Sequence, residues 1–120
     1  MSKLIKLPVI KDSRGSLTVI EKLLPFNIKR VYFIYNANGL RGGHRHKLTR
    51  QALICLSGSC SIYINNGITE EKVELKHPNH CLLIDPEDWH TMQGFKNNTI
   101  LLVLASEYYD VKDYINESYD

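Results

Sequence analysis

His44 and His46 stand one residue apart in the stretch RGGHRHK, residues 41–47, a few positions after the apolar run VYFIY. On an extended chain side chains alternate, so both imidazoles face one side and Arg45 faces the other. Two imidazoles on one face can ligate a divalent metal, relay protons near neutral pH, or simply pack with satisfied hydrogen bonds. A third, His90, ends the stretch PEDWH. Arg41 and Lys47 flank the pair, and such cations suit a diphosphate, arginine through paired planar hydrogen bonds and lysine as a point charge. A histidine beside that ligand can take and give a proton next to a carbonyl. Tyr35 closes the preceding run and is a candidate to place its hydroxyl over the same cavity, as an alternative to plain packing.

The elements that must position these groups read as strands. Short segments rich in Val, Ile, Leu and Tyr are bounded by Gly, Asn, Pro or Asp: SLTVIEK, VYFIYN, HKLTRQALICLSG, CSIYIN, TEEKVELKH, CLLIDP, WHTMQGF and TILLVLAS. About eight strands in so short a chain predict an all-β sandwich or barrel. Asn66-Gly67 predicts a tight hairpin turn between two of them. NTILLVLAS is apolar on both faces and predicts a central strand packed on two sides. The tail EYYDVKDYINESYD predicts a last helical turn or a docked extension. Trp89 is expected to wall the cavity or join the core, and His77 and His80, in KHPNHC, to be solvated turn residues.

Composition narrows the function classes. A chain of 120 residues, 43% hydrophobic and 23% charged, predicts one domain over residues 1–120. A net charge of +2 is too small and scattered for a nucleic-acid groove. The N-terminal apolar run is too short for a signal peptide, and no stretch reaches the length of a spanning helix, so a cytoplasmic protein without a membrane partner is expected. Cys55, Cys60 and Cys81 form no Cys-x-x-Cys pair and read as buried small hydrophobes in a reducing compartment.

The stretch HRHKLTRQALICLSG resembles the first motif of the cupin superfamily, with both histidines and Gly58 at the motif spacing but Gln51 where a metal-binding Glu usually stands. PEDWH resembles a shortened second motif. A neutral amide is a poor metal ligand, and cations crowd the same strand, so an anionic ligand is favoured over a metal. The series DSRGSL, LPFNIKRVYFIY, RGGHRHK, LSGS, PEDWHTM and LLVLASEYYDVKDYI further resembles, from about residue 10 to about residue 116, the nucleotide-sugar 3,4-ketoisomerases acting on dTDP-4-keto-6-deoxyglucose. This resemblance implies a small cupin jelly roll, a homodimer with exchanged N-terminal strands, no metal and no other cofactor, and a place on routes to 3-amino-3,6-dideoxy sugars of surface polysaccharides. It matches His44 and His46 to a catalytic pair, Tyr35 and Arg41 to an active-site Tyr and Arg, and Lys47 to the residue after the pair. Arg14, in DSRG, falls in a segment the family places near the sugar. Arg45 departs from the Ala usual between the histidines and bears on the opposite face.

Moving a ketone from C4 to C3 through an enediol needs one positioned base and one acid. His46 is assigned carbon proton transfer and His44 the oxygens; Tyr35, Arg41 and Gln51 are candidate donors to the enediolate, and His90 a further cavity residue. The competing expectations are a dTDP-sugar 3,5-epimerase, a nucleotide-sugar-binding cupin without turnover, and a metal-dependent cupin.

Overall fold

A computed structural model describes residues 2–119, which form ten strands, one 3-10 turn and no α-helix. The strands are β1 (Lys3–Lys6), β2 (Val9–Asp12), β3 (Gly15–Thr18), β4 (Arg30–Ile34), β5 (Arg41–His46), β6 (Gln51–Asn65), β7 (Glu70–Leu75), β8 (His80–Ile84), β9 (Trp89–Ala105) and β10 (Tyr114–Ile115), with the 3-10 turn at Val111–Asp113.

β6 and β9 run antiparallel along their whole lengths, from Gln51 opposite Ala105 to Asn65 opposite Trp89. β8 and β4 pair with one end of this ladder, through Gln51–Leu53 and Leu101–Ala105 respectively. β7 and β5 pair with the other end, through Cys60–Asn65 and the stretch from His90 to Met92. Two layers result, joined by strands that bend from one into the other, which is how corners form in packed sheets. β1 extends the first layer beyond β8, and β10 extends the second beyond β5. The architecture is the all-β jelly roll of a small cupin.

The sequence pattern divides each long strand in two, at LSG/CSIYIN and at QGF/TILL, whereas β6 and β9 are each continuous. The glycines and asparagines there mark bends, not turns: Gly58, Gly94, Asn97 and Asn98 all have positive φ, and the register slips between Cys55 and Ser61. Gly58 is forced by contact as well as by φ, since a Cβ there would lie 2.2 Å from the Lys96 carbonyl oxygen.

Between the layers lie Leu53, Cys55, Leu101 and Val103 from one side and Ile62, Ile64 and Met92 from the other. The alternate residues Ala52, Ile54 and Leu104 face outward and are covered by Leu7, Ile20, Leu24 and Phe26 of the N-terminal segment. NTILLVLAS is therefore apolar on both faces because both are covered. Each fully buried Leu or Ile contributes roughly 1.5–3 kcal/mol. All three cysteines are free and buried.

The hairpin expected at Asn66-Gly67 joins β6 to β7, through a connection of four residues. Gly67 alone takes positive φ there, and the Asn66 side chain accepts from the Ile68 and Thr69 amides. The N-terminal β2–β3 hairpin forms a sheet of its own, exposed except at Thr18 and paired with no strand of the main sheet. The tail supplies both forms expected of it, a 3-10 turn and a docked extension, β10.

Gly58→Ala is expected to destabilise the protein by about 3 kcal/mol, from positive φ plus overlap with a backbone oxygen. Urea unfolding measures this; a change under 0.5 kcal/mol, roughly the effect of a neutral surface substitution, contradicts the bend as described.

Candidate active site

Gly42 and Gly43, both at positive φ, shift the register of β5 against β9 and let the strand pass close to its neighbour. A Cβ on Gly42 would come within 2.9 Å of the His90 carbonyl oxygen. Beyond this bulge His44 lies opposite His90 on β9, and His46 lies opposite Tyr114 on β10, so all four rings share the inner face. Ring centroids are 5.0 Å apart for His44 and His46, 5.3 Å for His44 and His90, and 6.2 Å for His46 and His90. The Tyr114 ring lies 4.7 Å from both His44 and His46.

A cavity of about 300 Å³ opens in front of these rings, lined by Arg30, Tyr32, Arg41, Gly42, His44, Met92 and Tyr114. Gln51, only 1% exposed, reaches it through Tyr32, whose hydroxyl accepts from Gln51 Nε2 at 3.0 Å and keeps its own proton free to donate.

Four buried polar atoms around this space have no partner: both ring nitrogens of His46, Oε1 of Gln51 and Nε of Arg30. An unmet buried polar atom costs roughly 1–3 kcal/mol. Of these residues Arg30 lines the cavity itself, while His46 and Gln51 lie behind His44 and Tyr32; such orphaned atoms call for a partner that a polar ligand could supply.

The histidines are held neutral. Burial lowers the pKa of His44 below its ordinary value. Burial, then His44, then Arg30 push His46 down to about 4 against the opposing charge of Asp113. His90, 1% exposed, is pushed to about 4 mainly by burial, its hydrogen bond to a carbonyl opposing. That bond, from Nδ1 to the Asp88 carbonyl at 3.0 Å, places the proton on Nδ1, because a carbonyl only accepts.

Asp113 fixes the turn after His46. Its carboxylate accepts from the amides of Lys47, Leu48 and Thr49, and from the Thr49 hydroxyl. Burial alone would raise its pKa, but the Thr49 and Leu48 bonds and His46 hold it below the usual carboxylate value.

Of the residues singled out from sequence, the structure brings together His44, His46, His90, Arg41 and Gln51. It does not bring Tyr35 to them. Side chains alternate along β4, so Tyr32 and Ile34 point inward, while Val31, Phe33 and Tyr35 share the outer face; Tyr35 is 61% exposed and stacks near Phe33. Lys47 is exposed in the turn held by Asp113, and Arg14 is exposed at the tip of the β2–β3 hairpin, paired with Asp12. Trp89 is half-buried and donates to the Asn116 carbonyl. Tyr32, Tyr114 and Arg30 were not anticipated. Parity puts Tyr32 and Tyr35 on opposite faces of β4 without saying which face is inner, and a two-residue strand gives no periodicity by which to find Tyr114.

Among the described residues no group of three His, Cys, Asp or Glu side chains is arranged to hold a metal ion. The position of a ligating acid holds Gln51, with its amide nitrogen engaged by Tyr32.

Fold and site together define a small cupin with a cluster of neutral histidines in its interior. The chain belongs to the family described as "FdtA: WxcM-like, C-terminal", which matches residues 1–120. It is 44% identical over 120 residues to the TDP-4-oxo-6-deoxy-alpha-D-glucose-3,4-oxoisomerase of Aneurinibacillus thermoaerophilus, covering 97% of this chain and 86% of that relative. A histidine-to-asparagine variant of the 3,4-ketoisomerase QdtA from Thermoanaerobacterium thermosaccharolyticum, solved with TDP-4-keto-6-deoxyglucose, is 45% identical with a TM-score of 0.92, over 97% of this chain and 87% of that one. The dTDP-4-dehydrorhamnose 3,5-epimerase of Bacillus anthracis shares the fold, with a TM-score of 0.83 at 18% identity over 94% of this chain and 76% of that one.

Neutral buried imidazoles fix the acid limb of stability. The unfolded chain takes up protons at its ordinary histidine pKa of about 6.5, while folded His90 resists until about 4. Stability is therefore complete above pH 6.5 and falls as the pH is lowered from 6.5 toward 4. His90 alone is expected to remove about 2 kcal/mol between pH 7 and pH 5. Urea melts at the two pH values check this, and equal stability at both contradicts a neutral buried His90.

Proposed function

We propose that the protein is a sugar-nucleotide 3,4-ketoisomerase that moves the ketone of dTDP-4-keto-6-deoxyglucose from C4 to C3 through an enediol, on a route to 3-amino-3,6-dideoxy sugars of surface polysaccharides. The observation that carries this reading is His46, a neutral imidazole 3% exposed, with both nitrogens unpartnered beside a cavity. A neutral imidazole can take a proton from carbon and return it.

The C3 proton is acidified by the neighbouring C4 carbonyl. His46 removes it, the C3–H electron pair forms the C3=C4 bond, and the carbonyl pair moves to O4. Protonation of O4, delivery of a proton to C4 and loss of the proton from O3 then give the 3-ketone with a hydroxyl at C4. His44, 5.0 Å away, serves the oxygens. The electrons stay within the sugar, so the reaction needs no redox cofactor, and proton transfer by histidine needs no metal. Tyr32, supported by Gln51, donates toward the developing oxyanion. His90, behind His44, fixes the ring arrangement. Arg41, exposed at the start of β5, suits the diphosphate. Lys47 adds positive charge outside the cavity.

A homodimer with exchanged N-terminal hairpins accounts for what a single copy leaves open. A lone two-stranded hairpin is marginal in water, yet β2–β3 stands apart with Val9, Ile10 and Leu17 exposed, and the outer face of β4 exposes Val31, Phe33 and Tyr35. In such a dimer Arg14 belongs to the neighbouring copy's site. The free buried cysteines fit the cytoplasm, and no helix of the described residues is long and apolar enough to cross a membrane.

In deuterium oxide, chelator-treated protein is expected to convert the 4-keto sugar nucleotide to a 3-keto product with deuterium at C4, seen by NMR. His46→Asn is expected to lower kcat by about 10³ while dTDP still binds. Deuterium at C3 and C5 without ketone migration would indicate the epimerase, and binding without turnover a binding module. Sedimentation equilibrium is expected to give twice the chain mass, and deletion of residues 9–18 to give monomers; a monomeric wild type contradicts the exchanged dimer.

A further inference from the structure

Arg30 is not among the residues that the sequence singled out, yet its surroundings are those of a working group. Its guanidinium carbon lies 5.1 Å from the Tyr32 ring centroid and 5.6 Å from that of Tyr109. A cation held against two aromatic rings is fixed in orientation. Its Nε is nevertheless buried with no partner, and the side chain lines the cavity beside Tyr32, His44 and Tyr114. Among the described residues no carboxylate lies within ion-pair distance of it. A buried guanidinium edge without an acceptor is costly unless a ligand supplies one.

We infer that Arg30 is a catalytic residue that binds the enediolate oxygen, acting with the free proton of the Tyr32 hydroxyl. This rests on the ketoisomerase reading. When the C3–H pair becomes the C3=C4 bond, negative charge gathers on O4, and a fixed cation at that point stabilises the transition state more than the neutral ketone. Arg41 also lines the cavity, but it is exposed at the strand's outer end, where a diphosphate must leave toward its nucleoside. The buried edge of Arg30 suits the sugar.

The electrostatics agree. The groups facing His46 are His44 on its own strand, His90 from β9, Tyr114 from β10, Asp113 from the 3-10 turn and Arg30 from β4. Asp113 is the only anion of the set, and it is engaged by the residues after His46. Arg30 helps keep His46 unprotonated, and it offsets part of the rise that burial and Tyr114 impose on the Tyr32 hydroxyl, which stays protonated to donate. One cation thus favours both the neutral base and the anionic intermediate.

The test compares wild type, Arg30→Gln and Arg30→Lys in the same isomerisation assay, with dTDP affinity by calorimetry and the His46 titration by NMR. R30Q is expected to lose about 10²–10³ in kcat, to bind dTDP within about twofold of wild type, and to titrate His46 at higher pH; R30K is expected to recover at least about tenfold. If R30Q does not fold, R30K is read by the same split against wild type, with about a tenfold loss of kcat expected. Unchanged kcat, or a loss matched by weaker dTDP binding, overturns the assignment. Wild-type protein that does not isomerise the sugar overturns the function itself, while an unmoved His46 titration in a folded variant overturns the placement of Arg30 alone.

Discussion

Two strands, β6 and β9, belong to both layers at once, and that sharing imposes the space in which everything else happens. A ladder that continues around a corner keeps its backbone hydrogen bonds while turning its inner face through the bend, so residues far apart along one strand come to face a common interior. His90 and Leu101 are on one strand and in different layers; Gln51 and Ile64 stand in the same relation on the other. The bend requires a backbone without Cβ where the two strands press together, and Gly58 against the Lys96 carbonyl meets that requirement. The interior that results is apolar over most of its length and polar where β4, β5 and β10 bring their inward side chains against His90 of β9 and Gln51 of β6.

That gradient decides the charge state of the site. Imidazoles placed where water cannot reach them lose more by being charged than they gain from nearby partners, and the Asp113 carboxylate near His46 is occupied by three amides and a hydroxyl. Asp113 therefore does structural work first: it holds the turn that follows β5. A base kept neutral by burial and by a nearby cation, with both nitrogens unsatisfied, is destabilised alone and is relieved by a polar substrate. The cost of the site in folding and its capacity for chemistry have the same source.

The parts of this arrangement that were legible in sequence are those set by local periodicity. His-x-His on an extended chain must share a face, and TILLVLAS, apolar at every position but its ends, must be covered twice. Parity alone could not choose between the tyrosines of RVYFIY. Val31, Phe33 and Ile34 are apolar on both sides of the strand, so the pattern does not say which face is the interior, and Tyr35 was preferred where Tyr32 is the inward residue. Gly58, Gly94 and the Asn97-Asn98 pair were read as ends of strands because a bend and a turn use the same residues, and only long-range pairing tells them apart. Tyr114 and Arg30 depend wholly on tertiary placement: one comes from a two-residue strand near the C-terminus, the other precedes an ordinary β run.

Arg45, the departure between the two histidines, shows how one strand serves two purposes. Alternation turns it outward, and there its guanidinium lies 4.4 Å from the Tyr119 ring centroid, with Nε reaching the Glu117 carbonyl at 3.5 Å. Trp89 donates to the Asn116 carbonyl and the Tyr119 hydroxyl to that of Glu87, so the tail is tied on both sides of the arginine. This tail continues from β10, which places Tyr114 over His44 and His46. The outward residue of β5 thus helps retain the segment that covers its inward residues. An alanine there would leave the tail without that cation–aromatic contact, and a lysine would lack the planar face that lets arginine stack and donate at once.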